Sequence, residues 1–216
     1  MVMKQAVFIT FEGIDGAGTT TQSELLSHWF RIQGTPFHLT REPSEGRAGK
    51  LIREYLSGSV DAPDIDLYYH SLALLFAADR LDHVAREICP CLERGLAVIS
   101  DRYLLSSLVY QSLHCDQKWV KTINEQALKP DLTLLLDLPA ETAMERLARR
   151  NLFSSNEIYE TLDQQQRIRE LYLKSARDLY SEMEILVIEA AEEQQQVHEQ
   201  VIRRIRSRLE RSEDKQ

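Results

Sequence analysis

Phe11-Glu12-Gly13-Ile14-Asp15-Gly16-Ala17-Gly18-Thr19-Thr20 is the stretch on which the fold turns. An apolar run, Ala6–Glu12, leads into it, and a helical pattern over residues 19–33 follows it. Strand, glycine-rich turn and helix in that order form the context a phosphate-binding loop requires. Gly13, Gly16 and Gly18 allow the backbone to open, so that successive N–H groups face phosphate oxygens. The helix that begins Thr19-Thr20-Thr21 adds its positive end to the attraction. Residues 11–20 are therefore the expected cradle for the phosphates of a nucleoside triphosphate. Thr20 occupies the Ser/Thr place of GxxxxGK[ST], where a hydroxyl ligates Mg²⁺. The lysine of that pattern is missing, and Thr19 stands in its place. A unit cation about 4 Å from a phosphate charge is worth roughly 4 kcal/mol at an effective dielectric near 20. Its uncompensated loss would slow phosphoryl transfer by about three decades.

Four further apolar runs, Pro36–Thr40, Leu96–Ser100, Leu132–Leu138 and Glu184–Glu189, read as strands. Leu132-Thr-Leu-Leu-Leu-Asp-Leu138 is nearly continuous, as a strand buried on both faces should be. Helical patterns over 46–57, 65–94, 104–112, 117–128, 140–150, 157–182 and 192–211 separate the runs. Strands alternating with helices predict an α/β domain with a five-stranded parallel sheet and helices on both faces. One domain spanning 1–211 is expected, with a frayed tail at 212–216. The last helix carries Val197, Val201, Ile205 and Leu209 in one docking stripe.

The net charge of −8 argues against a nucleic acid partner, so any phosphate site must be a local cluster of donors. No apolar run approaches the roughly 18–20 residues that cross a bilayer. The opening Met-Val-Met-Lys-Gln-Ala lacks a signal peptide's layout, and a cytoplasmic enzyme is the expectation. Cys89, Cys91 and Cys115 are an odd set, and Cys89-Pro-Cys91 has no second pair at zinc spacing, so a structural role is expected.

Several charged residues fall where strands end, which is where ligand crevices form in such sheets. Asp101-Arg102-Tyr103 follows the third strand; an Asp there can orient Mg²⁺ and an Arg can clamp phosphate. Thr40-Arg41-Glu42-Pro43 ends the second strand, with Arg41 expected to face the crevice, a surface Arg–Glu pair being the alternative. Phe76 and Arg80 lie one helical turn apart, which suits a base on the ring and a phosphate on the guanidinium. Arg146, Arg149 and Arg150 share one side of a helix ahead of Asn151–Glu157. They form an arginine-bearing lid, about 146–160, that could close cations over the phosphates, or else a solvated basic face.

These motifs, taken in order with Gly49-Lys-Leu-Ile-Arg53, Ser106-Ser-Leu-Val-Tyr-Gln111, Leu136-Asp-Leu-Pro139 and Val187-Ile-Glu189, resemble the thymidylate kinases over almost the whole chain. The resemblance implies a fold of the P-loop NTPase type and transfer of a phosphoryl group from MgATP to dTMP, giving dTDP and ADP. It implies that Phe76 stacks on thymine, that Arg80, Ser107 and Gln111 contact the base edge or its surroundings, and that Arg41 and Arg102 hold the dTMP phosphate. Asp15 would lie near the acceptor sugar, the backbone of Asp15, Gly16, Ala17, Gly18, Thr19 and Thr20 would cradle the ATP phosphates, and Thr20 and Asp101 would serve Mg²⁺. The catalytic groups would be Arg102 and a lid arginine from among Arg146, Arg149 and Arg150, since the loop itself has Gly16 and no arginine. A homodimer is expected on the same ground, with the helix at 65–94 apolar enough to form its interface. Two features depart from the family pattern: Thr19, and a lid reading Ser155-Asn156 where an Asp-Arg step is common. Two rival readings stay open at this level: a kinase for another nucleotide, and a nucleotide-binding protein with little turnover.

Overall fold

A computed structural model describes residues 6–149, 161–179 and 181–213, with side chains as far as 208. Its centre is a single sheet of five parallel strands in the order β2-β3-β1-β4-β5. The strands are β1 (Phe8–Gly13), β2 (Phe37–Arg41), β3 (Ala97–Asp101), β4 (Leu132–Asp137) and β5 (Ile185–Glu189). β1 and β3 are buried along their whole length, and β4 from Leu132 to Leu136. That is why their sequences run apolar rather than alternating. Where the strand pattern admits a hydroxyl it is paired: Thr10 on β1 donates to Thr133, its register partner on β4, at 3.0 Å.

Helices cover both faces. α1 (Thr19–Ile32) and α9 (Gln194–Glu213) pack against one another, α1 also meeting β1, β2 and β3, and α9 meeting β5. α5 (Leu104–Tyr110) and α8 (Leu162–Asp178) form a second packed pair against β1 and β4, with α7 (Ala140–Arg149) alongside α8. The stripe expected on α9 is buried at Val197, Val201 and Ile205. α2 (Arg47–Leu56) packs on α3 (Ile65–His83), where Ile52, Tyr68 and Leu72 make a smaller core of their own.

The helix read as continuous over 65–94 is not uniform. α3 ends at His83, a π-helical turn spans Val84–Ile88, and α4 covers Cys89–Glu93. Cys89 N–H donates to the Val84 carbonyl, five residues back. Pro90 has no N–H to give and its ring opposes the preceding turn, so the widened turn takes up the misfit. Cys89, Cys91 and Cys115 are free thiols, and no cluster of three or more His, Cys, Asp or Glu poised for a metal occurs among the described residues. Among the described residues no helix is long and apolar enough to cross a membrane.

The strand order places β1 between β3 and β4: the connection from β1 runs to β2 on one side, and the connection from β3 crosses to β4 on the other. A crevice opens at such a reversal, beyond the carboxyl ends of the strands. Gly13, Arg41, Asp101 and Asp137 all end strands on that edge.

Candidate active site

The loop after β1 takes the backbone path that its glycines permit. Gly16 and Gly18 have φ of 84° and 93°, left-handed values that other residues adopt only under strain. A Cβ at Gly16 would lie 2.5 Å from the Ala143 carbonyl oxygen on α7, so the loop and that helix touch through a missing side chain. Among the described residues Gly18 begins α1 without any side-chain cap, and nothing lies within 4 Å of where its Cβ would be. The N–H groups of the first turn of α1 are thus left for an anion. Gly16, Ala17 and Gly18 line an open cleft of about 340 Å³ together with Arg146 and Arg149 of α7 and the segment Ala190–Gln194. Arg146 donates to the carbonyls of Ala191 (3.2 Å) and Glu192 (3.1 Å), tying α7 to the far wall. Arg149 is exposed and reaches Glu145 only at 4.0 Å. Thr19 is buried, whereas Thr20 is exposed. Arg150 and the remainder of the expected lid, 151–160, lie outside the described residues.

Thr20 and Asp101 meet across the crevice, the Thr20 hydroxyl donating to Asp101 Oδ2 at 2.5 Å. Asp101 Oδ1 is buried and has no hydrogen-bond partner among the described residues. A buried carboxylate oxygen left over beside a hydroxyl is a donor set suited to Mg²⁺, which takes one or two carboxylate or hydroxyl ligands and completes its shell with water and phosphate oxygens.

Beyond Asp101 a second cavity, of about 190 Å³, is lined by Asp15, Glu42, Pro43, Leu56, Phe76, Arg80, Arg102, Tyr103, Ser106, Ser107, Tyr110 and Gln111. It gathers five residues singled out for the base and its phosphate, namely Phe76, Arg80, Arg102, Ser107 and Gln111, together with Asp15. Arg80 and Glu42 form a fully buried ion pair at 2.6 Å. Arg80 also donates to Ser107 Oγ at 2.8 Å and to Asn124 Oδ1. This pairing differs from the reading that places a phosphate on Arg80: Glu42 already balances its charge, and the guanidinium instead holds Ser107 at the cavity wall. Glu42 is held in turn by His83 Nδ1 at 3.3 Å, and His83 Nε2 meets Thr40 Oγ1 at 2.8 Å. Burial alone would lower the His83 pKa, but the hydrogen bond and charge of Glu42, with Glu87 and Asp79, raise it. Two polar atoms at the cavity, Gln111 Oε1 and Arg80 Nε, are buried without hydrogen-bond partners among the described residues.

Arg102 has a left-handed φ of 69°, a strained setting for a residue with a side chain. It swings the guanidinium back against the phosphate loop, where Nη2 donates to Asp15 Oδ1 at 2.6 Å and Nη1 to the Gly13 carbonyl. Burial disfavours its charge, yet Tyr110, Tyr172, Asp15 and Asp101 hold its pKa well above the ordinary arginine value. Arg41 differs from expectation. Its side chain is 62 % exposed, is paired with Glu45 at 2.6 Å, and does not line the cavity. The last residue of β2 alternates away from the crevice, and the Glu four residues on offers the nearer partner.

Glu42, Tyr103, Ser106 and Tyr110 line the cavity without having been singled out, and Glu12, Asn124 and Tyr172 stand directly behind it. Glu42 sits in a quoted motif but reads as half of a surface pair, and its true partner lies 38 residues away. Asn124 and Tyr172 carry no local signal at all.

A sequence model of the thymidylate kinase family matches residues 11–201. A protein named probable thymidylate kinase from Thermococcus kodakarensis is 43% identical over 209 residues, covering 94% of this chain and 98% of that protein. Its namesake in Pyrococcus abyssi is 41% identical over 203 residues, with 94% and 97% covered. A putative thymidylate kinase of Treponema pallidum is 36% identical over 204 residues, with 92% and 94% covered.

Proposed function

The chain belongs to the thymidylate kinase family, and on that footing we propose that it transfers the γ-phosphoryl group of MgATP to dTMP, giving dTDP and ADP in the cytoplasm. The observation that carries this reading is a pair of clefts that share the phosphate loop, Gly16 to Gly18 lining one and Asp15, with Arg102, lining the other. One is lined by the glycines of the phosphate loop, and the other by an aromatic ring, a buried guanidinium and polar atoms that have no partner among the described residues.

In this reading the loop backbone from Asp15 to Thr20 holds the donor phosphates. Phe76 stacks on the thymine, and Ser107 and Gln111, with Arg80 behind them, meet its edge. Arg102 gives up Asp15 to hold the acceptor phosphate, assisted by Arg41 once that side chain leaves Glu45. Thr20 and Asp101 would hold Mg²⁺, which supplies charge neutralisation to the phosphates when bound. The protein's own task is positioning and charge: it aligns the acceptor oxygen with the donor phosphorus, and arginines balance the charge that spreads over the transferred group. Arg146, Arg149 and Arg150 are the candidates for that balance, compensating for Thr19. Residues 1–211 would form one kinase domain, paired with a second copy through the exposed face of α3.

Thr19 favours a second reading, a nucleotide-binding protein with little turnover, and a kinase for another nucleotide is a third. Steady-state ADP release with MgATP and a panel of dTMP, dUMP, dCMP, dGMP and AMP separates the three. Turnover highest with dTMP is expected; none above background with any acceptor would leave only the binding reading.

A further inference from the structure

Behind Arg102 runs a chain of hydrogen bonds that phosphate binding alone does not call for. Arg102 Nη1 donates to the Tyr172 hydroxyl at 2.9 Å, Tyr172 and Ser106 hydroxyls are 2.8 Å apart, and Ser106 Oγ donates to Glu12 Oε2 at 2.5 Å. Leu105 N–H donates to the other oxygen, Glu12 Oε1, at 3.1 Å. Arginine can only donate, and Ser106 has given its single proton to Glu12, so the Tyr172 proton must go to Ser106. Every bond in the chain therefore points at the carboxylate. A protonated Glu12 carries a donor of its own, and the chain can then run the other way. Ser106 would donate to Tyr172, and the Tyr172 proton would turn toward the Arg102 side, loosening the hold that keeps the guanidinium back against Tyr172 and Gly13.

We infer that Glu12 is a positioning residue for Arg102: its carboxyl takes up a proton from solvent when an acceptor monophosphate binds, and returns it when the product leaves. The inference rests on the reading of Arg102 as the group that holds the acceptor phosphate. Its physical cause is electrostatic. While the site is empty, the positive charge of Arg102 favours an ionised Glu12; a phosphate dianion on Arg102 cancels that charge and adds a negative one nearby. The charged and titratable groups facing Glu12 are Arg102 from the segment after β3, Arg80 from α3 and Tyr172 from α8. Glu12 is completely buried, and that burial pushes its carboxyl up to about 7, against the hydrogen bonds from Ser106 and the charges of Arg102 and Arg80. The group is thus poised to change charge near neutral pH.

The test is calorimetric titration of the full chain with dTMP at pH 5.5 and 7.5, in buffers of different ionisation enthalpy. At pH 7.5 dTMP is already mostly a dianion, its second phosphate pKa being about 6, so uptake there comes from the protein. About half a proton or more taken up per dTMP is expected at pH 7.5. At pH 5.5, where Glu12 is already protonated, its uptake should vanish. Glu12→Gln, which keeps the shape and cannot titrate, should abolish the uptake at pH 7.5. It should also remove the rise in KM for dTMP that uptake imposes above neutral pH. Should that variant not fold, Tyr172→Phe breaks the chain midway and is expected to reduce the uptake. Binding of dTMP without proton uptake in the wild type, or uptake undiminished in Glu12→Gln, would overturn the inference. No detectable binding of dTMP at all would overturn the acceptor reading beneath it.

Discussion

Thr19 puts a neutral hydroxyl where the motif places a cation. Arg146 and Arg149 line the same cleft as Gly16 and Gly18, where Arg146 donates to the Ala191 and Glu192 carbonyls and Arg149 pairs with Glu145 at 4.0 Å. If these arginines balance the transferred charge, Arg146→Ala or Arg149→Ala is expected to lower kcat with dTMP by on the order of 10²-fold. Thr19→Lys should recover part of that loss when added to the weaker variant. Unchanged kcat in both alanine variants would assign the compensation elsewhere. Glu12 gives a separate outcome at this scale, in stability rather than rate. Its folded carboxyl titrates at about 7 against an ordinary 4.5, so the native state binds more protons between those values. Its stabilising contribution is then complete below about 4.5 and is lost as pH rises through about 7, a change on the order of 3 kcal/mol. Urea unfolding of the wild type and Glu12→Gln across that range is expected to show the two diverging by this slope; parallel curves would refute it.

Elements matter here through how their ends meet, and the contact of the phosphate loop with α7 is the closest example. Gly16→Ala places a Cβ 2.5 Å from the Ala143 carbonyl at a φ of 84°, so strain of about 1–2 kcal/mol adds to a displacement of the helix that carries Arg146 and Arg149. Gly34→Ala, at a φ of 69° with no described residue within 4 Å of the added Cβ, should incur the backbone strain alone. Denaturant unfolding is expected to show the larger loss at Gly16. Only that variant should raise the KM for ATP, and equal effects from both would deny the α7 contact any role. The elements themselves were largely legible in the sequence, because β1, β3 and β4 are covered on both faces and so read as apolar runs ended by turn residues. The widened turn at Val84–Ile88 was not, since helical periodicity continues through Pro90 and only the missing N–H betrays the break. The phosphate loop and Asp101-Arg102 announce themselves by local spacing. The buried pair Arg80–Glu42 and the chain from Arg102 to Glu12 do not, since each joins strands and helices far apart in sequence.

At the scale of the whole molecule, α3 has two faces with different duties. One face holds Arg80, Asp79 and His83 in the network behind the cavity. The other leaves Leu67, Leu74 and Leu81 at 66 %, 51 % and 42 % exposure, seven residues apart, with Ser71 and Ala78 exposed between them. Large apolar side chains at heptad spacing, alternating with small ones, form a seam that lets a like helix approach closely. A two-fold axis across such a seam pairs it with itself, so a second copy of this chain is a self-consistent occupant. Pairing there would cover three leucines and clamp the helix whose opposite face carries Arg80. Assembly and acceptor binding should therefore move together. Leu74→Glu puts two like charges at the centre of that seam. Sedimentation velocity is expected to find the wild type a dimer at micromolar concentration and Leu74→Glu a monomer, with a higher KM for dTMP in the monomer. A monomeric wild type would remove the seam from consideration. A monomeric variant with unchanged KM would keep the dimer but uncouple it from the site.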